Sequence, residues 1–170
     1  MRIRSNLCAR IWLLLGCLLL VATPGTVIAR ANAQTSADQP RNVELTNAAW
    51  DAFKAKNYDT AITAADRCVR RFKDEADSGE AQLEKSHAPL PLTGKVTDKE
   101  KKAIFDQGLL NDVATCYWIK GSSAQALKRN DVARDAFRAA AAYRYARTWD
   151  ARGWFWSPSE DALDRLEDLK

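Results

Sequence analysis

The side chains of this chain that could do chemistry are few, and their spacing points away from catalysis. His87 is the one histidine and lies close to Pro89 and Pro91 with no nucleophile motif near it, the setting of a solvated loop residue. No HExxH, Walker loop, GxSxG elbow or glycine-rich dinucleotide turn occurs. The acid pairs Asp74-Glu75 and Glu160-Asp161 read as solvent faces and helix starts, where negative charge meets the positive end of the helix dipole. Lys95, Lys99, Lys101 and Lys102 would attract an anion, but Asp98, Glu100 and Asp106 interleave with them, so the stretch reads as a solvated helix. The expectation is a chain that is not an enzyme, with no catalytic residues, no metal ligands and no cofactor.

Two groupings hold more information. Trp149, Trp154, Phe155 and Trp156 put four large rings within eight residues, and Gly153 allows a turn between them. Indole faces at such spacing could stack on the sugar rings of an envelope glycan. The competing expectation is a structural cap in which the rings cover the open end of a helical domain, with at most one of Trp149, Trp154 and Trp156 widely exposed. Cys68 and Cys116 are the other grouping, and two readings stand side by side: a disulfide in an oxidising compartment, or two small buried apolar residues.

The compartment follows from the first 33 residues. Arg2, Arg4 and Arg10 precede an apolar run from Ile11 to Ala22, and Ala31-Asn32-Ala33 stands ahead of Gln34. This is the layout of a secretory signal cleaved near Ala33, and its apolar run is shorter than the roughly 20 residues of a membrane span. The alternative is a lipoprotein anchored at Cys17, since Leu14-Leu15-Gly16-Cys17 resembles a lipobox. Either way the expected location is periplasmic, secreted or envelope-anchored. Residues 1–33 hold four of the 26 basic residues and no acid, so the remainder carries 22 bases against 22 acids. A neutral mature chain excludes the electrostatic case for nucleic acid as a partner.

The elements that must position these residues are helices. Residues 34–42 are polar and read as a leader. Helices are expected from about Val43 to Lys56 and from Asn57 to about Lys85, with Ser78-Gly79 as a weak point in the second. Residues 87–97, with Pro89 and Pro91, should run extended. Thr97-Asp98-Lys99-Glu100 is a capping box that starts a short helix through Phe105. Further helices are expected over about 110–128 and 132–147, and Ser157-Pro158-Ser159-Glu160 starts a closing helix with Ala162, Leu163, Leu166 and Leu169 on its buried side. No segment alternates as a strand, so the fold class expected is all-α.

A repeat organises these helices. Ala49, Ala52, Ala61, Ala65 and Cys68 share their offsets of 0, 3, 12, 16 and 19 with Gly121, Ala124, Ala133, Phe137 and Ala140. A polar turn falls at the same place in each copy, at Asn57-Tyr58-Asp59 and at Arg129-Asn130-Asp131. Each unit is therefore a helix, a tight turn and a second helix, with small residues letting the pair approach closely. In tandem hairpins the residue at the last offset, Cys68, would face the early part of the next first helix, where Cys116 lies.

Over residues 43–72 and 115–147 these hairpins resemble tetratricopeptide repeats, most closely in Leu127-Lys128-Arg129-Asn130-Asp131-Val132-Ala133-Arg134-Asp135-Ala136-Phe137. Lys56 and Lys128 stand where that family's turn carries its second glycine, and about 40 residues intervene between the units. Residues 109–158 also look like the repeat-bearing tail of exported bacterial proteins. The resemblance implies one TPR-like domain over residues 43–170, with an insertion at about 74–108 and a C-terminal capping helix in a short right-handed solenoid. It implies a groove lined by the first helices, with Val43, Thr46, Trp50, Phe53 and Lys54 from one hairpin and Thr115, Trp118, Ser122 and Gln125 from the other. Trp50, Lys54, Trp118, Ser122 and Gln125 are the partner-binding candidates, and the partner would be another envelope protein or an extended peptide. The competing expectation is that the insertion at 74–106 folds over this groove and buries both tryptophans.

Overall fold

The computed structural model describes residues 41–170. The expected export signal at 1–33, Cys17 and residues 34–40 of the leader lie outside the described residues.

Six helices and one two-stranded antiparallel sheet make up the described residues. Helix α1 spans Asn42–Lys54 and α2 Tyr58–Lys85; α3 is Asp98–Phe105, α4 Gly108–Ala126, α5 Asn130–Ala141 and α6 Pro158–Asp168. The pairs α1/α2 and α4/α5 are hairpins, and α4 packs against both helices of the first hairpin. Every member of the repeated pattern is buried except Ala52, which is half-buried. The two turns match in backbone as well. Lys56 and Lys128 both take φ 59°, and in each turn the amides that follow fold back onto helix carbonyls: Asn57 onto Ala52 and Arg129 onto Ala124, both at 2.9 Å. This is the left-handed close that glycine usually supplies.

Helix α4 is buried on most of its sides because it is central. Leu110, Val113, Ala114, Cys116 and Ile119 are buried among α1, α2 and α5. Helix α2 runs through its expected weak point without a break, and a Cβ added at Gly79 would meet Leu110 at an ordinary contact distance of 3.8 Å. Its second half has a separate task. Glu80, buried in α2, accepts the amides of Arg144 (2.7 Å) and Tyr145 (3.3 Å), and Asp77 accepts the Tyr143 hydroxyl at 2.5 Å. Burial pushes the Glu80 carboxyl above the usual range despite those two amides.

These contacts correct two expectations. Helix α5 ends at Ala141 rather than continuing to residue 147, because side-chain acceptors on α2 and on Asn111 take the amides a longer helix would have used. The chain that follows is not helical. Thr148–Asp150 (β1) and Trp154–Trp156 (β2) pair with Trp149 opposite Phe155, around a turn in which Gly153 takes φ 98°. The link at 87–97 is not helical, but it does not run extended from its start: His87 takes a left-handed φ of 53° where α2 closes, and further along Gly94 exchanges both backbone hydrogen bonds with Phe155 (2.7 and 2.9 Å).

The closing helix starts at its expected cap, where the Ser157 hydroxyl accepts the Glu160 amide. Of its apolar stripe, Ala162 is buried and Leu166 and Leu169 pack partly against the core, whereas Leu163 is 53% exposed. No helix of the described residues is long and apolar enough to cross a membrane.

Candidate functional site, a cleft beside the first helix

Helix α1 presents Asn42, Val43, Thr46, Asn47, Trp50, Asp51 and Lys54 at helical spacing along one side, and that side forms a wall of a cleft of about 880 Å³. Phe105 and Gly108 of the α3–α4 corner, with Asn111, Asp112 and Thr115, close the second wall. The third is residues 147–152, so β1 lines the cleft along its whole length, whereas β2 contributes Trp156 alone.

Two buried polar residues hold this third wall in place. Asn111 donates to the Ile104 carbonyl (2.7 Å) and accepts the Arg147 amide (2.8 Å), joining α3, α4 and the start of β1. The Arg147 guanidinium is buried and donates only to backbone carbonyls, those of Pro91, Arg144 and Ala146. Burial lowers its pKa from the ordinary arginine value. It therefore serves as a clamp between the 87–97 link and β1. Thr115 and Thr148 complete the joint with a hydroxyl contact at 2.7 Å.

Asp112 is the group here with an unmet charge. Its carboxylate accepts Asn42 Nδ2 at 2.5 Å and has no lysine or arginine within 4 Å among the described residues. Burial pushes its pKa up to about 6. Below it lies the thiol pair, in which the Thr46 hydroxyl contacts Cys116 Sγ at 3.4 Å and Cys68 Sγ at 3.7 Å. Both thiols are free and buried. Contact with Cys68, together with burial, pushes the Cys116 thiol well above the usual range.

The groove candidates divide into two sets. Trp50 and Lys54 line the cleft, with Val43, Thr46 and Thr115 beside them. Trp118, Ser122 and Gln125 are not brought to it. Trp118 is buried, packed on Trp50, Phe53 and Trp156 at centroid distances of 5.6, 5.8 and 5.0 Å, and its indole N–H donates to Asp161 of α6. Ser122 is buried and Gln125 accepts from Arg165. Helix α6, not the insertion at 74–106, covers this half of the groove. The insertion contributes Phe105 to the rim, and Trp50 stays half-buried.

The aromatic segment forms the hairpin described above. Phe155 is fully buried against Phe105 and Trp149, Trp156 lies on Trp118, and Trp154 is half-buried under the Arg152 guanidinium. Trp149 is the most open of the three indoles at 36% exposure, with Lys101 Nζ 4.2 Å from its ring centre. The structure thus follows the capping expectation in exposure, but through a β-hairpin.

Asp112, Asn111 and Arg147 are among the cleft residues that sequence reasoning missed. The available signal was the polar pair Asn111-Asp112 between the apolar residues Leu109-Leu110 and Val113-Ala114. Among the described residues, no group of histidine, cysteine and acidic side chains is arranged to hold a metal ion. No protein-family model matches the chain, and neither the curated proteins nor the solved structures compared with it provide a match.

Proposed function

We propose that this chain is a non-catalytic, exported helical-repeat scaffold, TPR-like in architecture, that binds an extended peptide or a segment of another envelope protein in the cleft beside α1. The observation that carries the reading is the contrast between two sets of side chains: α6 ties down Trp118 and Gln125, while Trp50 and Lys54 stand in an uncovered cleft of about 880 Å³. That volume lies toward the upper end of the roughly 300–1,000 Å³ of small-ligand pockets. The TPR-like part rests on the shared offsets and on the matching left-handed residues Lys56 and Lys128. The export part rests on residues 1–33.

Glycan binding through Trp149, Trp154 and Trp156 is the rival. The cations set over two of these rings, Lys101 over Trp149 and Arg152 over Trp154, would have to move before a sugar could stack, which favours peptide. Panning a random dodecapeptide display library, and probing a glycan array, with the purified protein separates the two. Selected peptides should lose at least tenfold in affinity for Asn47→Arg, whose side chain enters the cleft from an exposed position, while its melting temperature stays near the parent value. Peptides indifferent to that change, or glycans as the sole binders, would overturn the peptide reading.

A further inference from the structure

The sheet next to the cleft has one unpaired edge, and the hydrogen-bond pattern says which backbone groups it offers. Gly94 exchanges its N–H and C=O with those of Phe155, so the backbone groups of Phe155 point away from β1. Phe155 faces Trp149 across the ladder, and in an antiparallel pair opposite residues either both exchange hydrogen bonds or neither does. The N–H and C=O of Trp149 therefore point away from β2, toward the free edge. The edge borders the cleft, since β1 lines it from Thr148 to Asp150. No backbone group among the described residues pairs with Trp149 on that side. Three residues are a short edge, which limits pairing with an unrelated sheet but suits a single added strand held by a second wall.

The second wall carries a charge preference. Asp112 has a carboxylate with amide and hydroxyl neighbours, Asn42 and Thr46, and no cation in reach among the described residues. The Asp150 carboxylate in the same cleft is already paired with Arg152 at 3.0 Å, so it makes little demand on a ligand. A lysine or arginine side chain supplied from outside would complete Asp112 with a charge-assisted hydrogen bond.

We propose that the cleft takes an extended peptide as an added strand on β1, paired with the backbone of Trp149, with a lysine or arginine side chain of that peptide set against Asp112. The added strand presupposes the peptide reading of the cleft. Trp50 and Lys54 on α1 then face the peptide's side chains, while β1 holds its main chain, so affinity and side-chain preference come from opposite walls.

The test uses peptides from the library selection above, the purified protein, and amide exchange followed by NMR. Exchange at the Trp149 amide should slow at least tenfold when a selected peptide is bound. The peptides should share a lysine or arginine whose replacement by alanine costs at least tenfold on the parent and less than twofold on Asp112→Asn. Peptides blocked by Asn47→Arg that leave Trp149 exchange unchanged would overturn the added strand and leave the peptide reading standing. Peptides that protect Trp149 but carry no shared basic residue would overturn the role of Asp112. Absence of any peptide blocked by Asn47→Arg would overturn the peptide reading and the added strand with it. The exchange measurement is made on the parent protein, so it does not depend on any variant folding.

Discussion

Trp118 donates its indole N–H to the Asp161 carboxylate at 2.5 Å, tying the middle of α4 to the first turn of α6. Arg165, one turn further along α6, pairs with the same carboxylate at 2.8 Å and lays its guanidinium over the Trp118 ring. Asp161→Ala leaves a largely buried indole donor without an acceptor and should cost about 1–3 kcal/mol. Trp118→Ala removes the centre of the aromatic cluster and should cost about 3–5 kcal/mol. Urea denaturation measures both, and a neutral Asp161→Ala would mean that α6 does not depend on this tie.

Gly121 meets Phe137 more closely than any other side chain would allow. A Cβ at Gly121 would lie 2.6 Å from Phe137 Cε1 and 2.7 Å from Cδ1, and Phe137 is fully buried with no free direction to move. Gly121→Ala should destabilise by about 1–3 kcal/mol through overpacking. Adding Phe137→Leu should make the double variant less destabilised than the sum of its singles, as a double-mutant cycle reads directly.

Lys56 and Lys128 hold φ 59° without the freedom of glycine. Lys56→Gly and Lys128→Gly relieve that strain, against the entropy glycine adds to the unfolded chain, and each should stabilise by a few tenths to about 1 kcal/mol. The increments should add, since the residues belong to separate turns. Thermal melting of the two singles and the double checks this, and a fall in melting temperature for either single would contradict it.

Asp112 gives the protein a pH response of definite sign. Its pKa is raised to about 6 by burial, so the folded state holds a proton that the unfolded state releases at its ordinary value near 3.8. Stability from this group is therefore present below about pH 4 and is lost as pH rises toward about 6, on the order of 1–2 kcal/mol after allowance for partial exposure. Asp112→Asn should flatten this part of the profile and be the more stable protein at pH 7. Unfolding free energies of parent and variant between pH 4 and 7 decide it.

Cys68 and Cys116 share the Thr46 hydroxyl from opposite elements, α2 and α4. As buried free thiols they should resist a bulky thiol reagent in the native protein and both react once it is unfolded. The count is made on protein exported and purified without reductant. Two thiols after unfolding match the free pair, and none would establish the bridge.

The sequence by itself determined the hairpins, their turns and the small-residue seam. Ala49, Gly121 and their repeats are local in kind: helical spacing, polar turns and the volume of a side chain are all legible along the chain. The cap at Thr97 and the proline start at residue 158 were legible for the same reason. Helical spacing put Trp50 and Lys54 on one face of the first helix, and the resemblance to tetratricopeptide repeats is what suggested that this face lines a groove. What only the tertiary structure decided was where the helices stop and which side chains are covered. Residues 142–147 have the composition of a continuing helix, and they leave it because Glu80 and Asn111, more than 30 residues away in the chain, take their amides. Trp118 lost its place in the groove because α6 folds back onto α4, and Asp112 gained one because the β-hairpin closes a third wall around it. Such outcomes depend on competition between local and distant partners for the same backbone and side-chain groups, and that competition is resolved only when the whole core has packed.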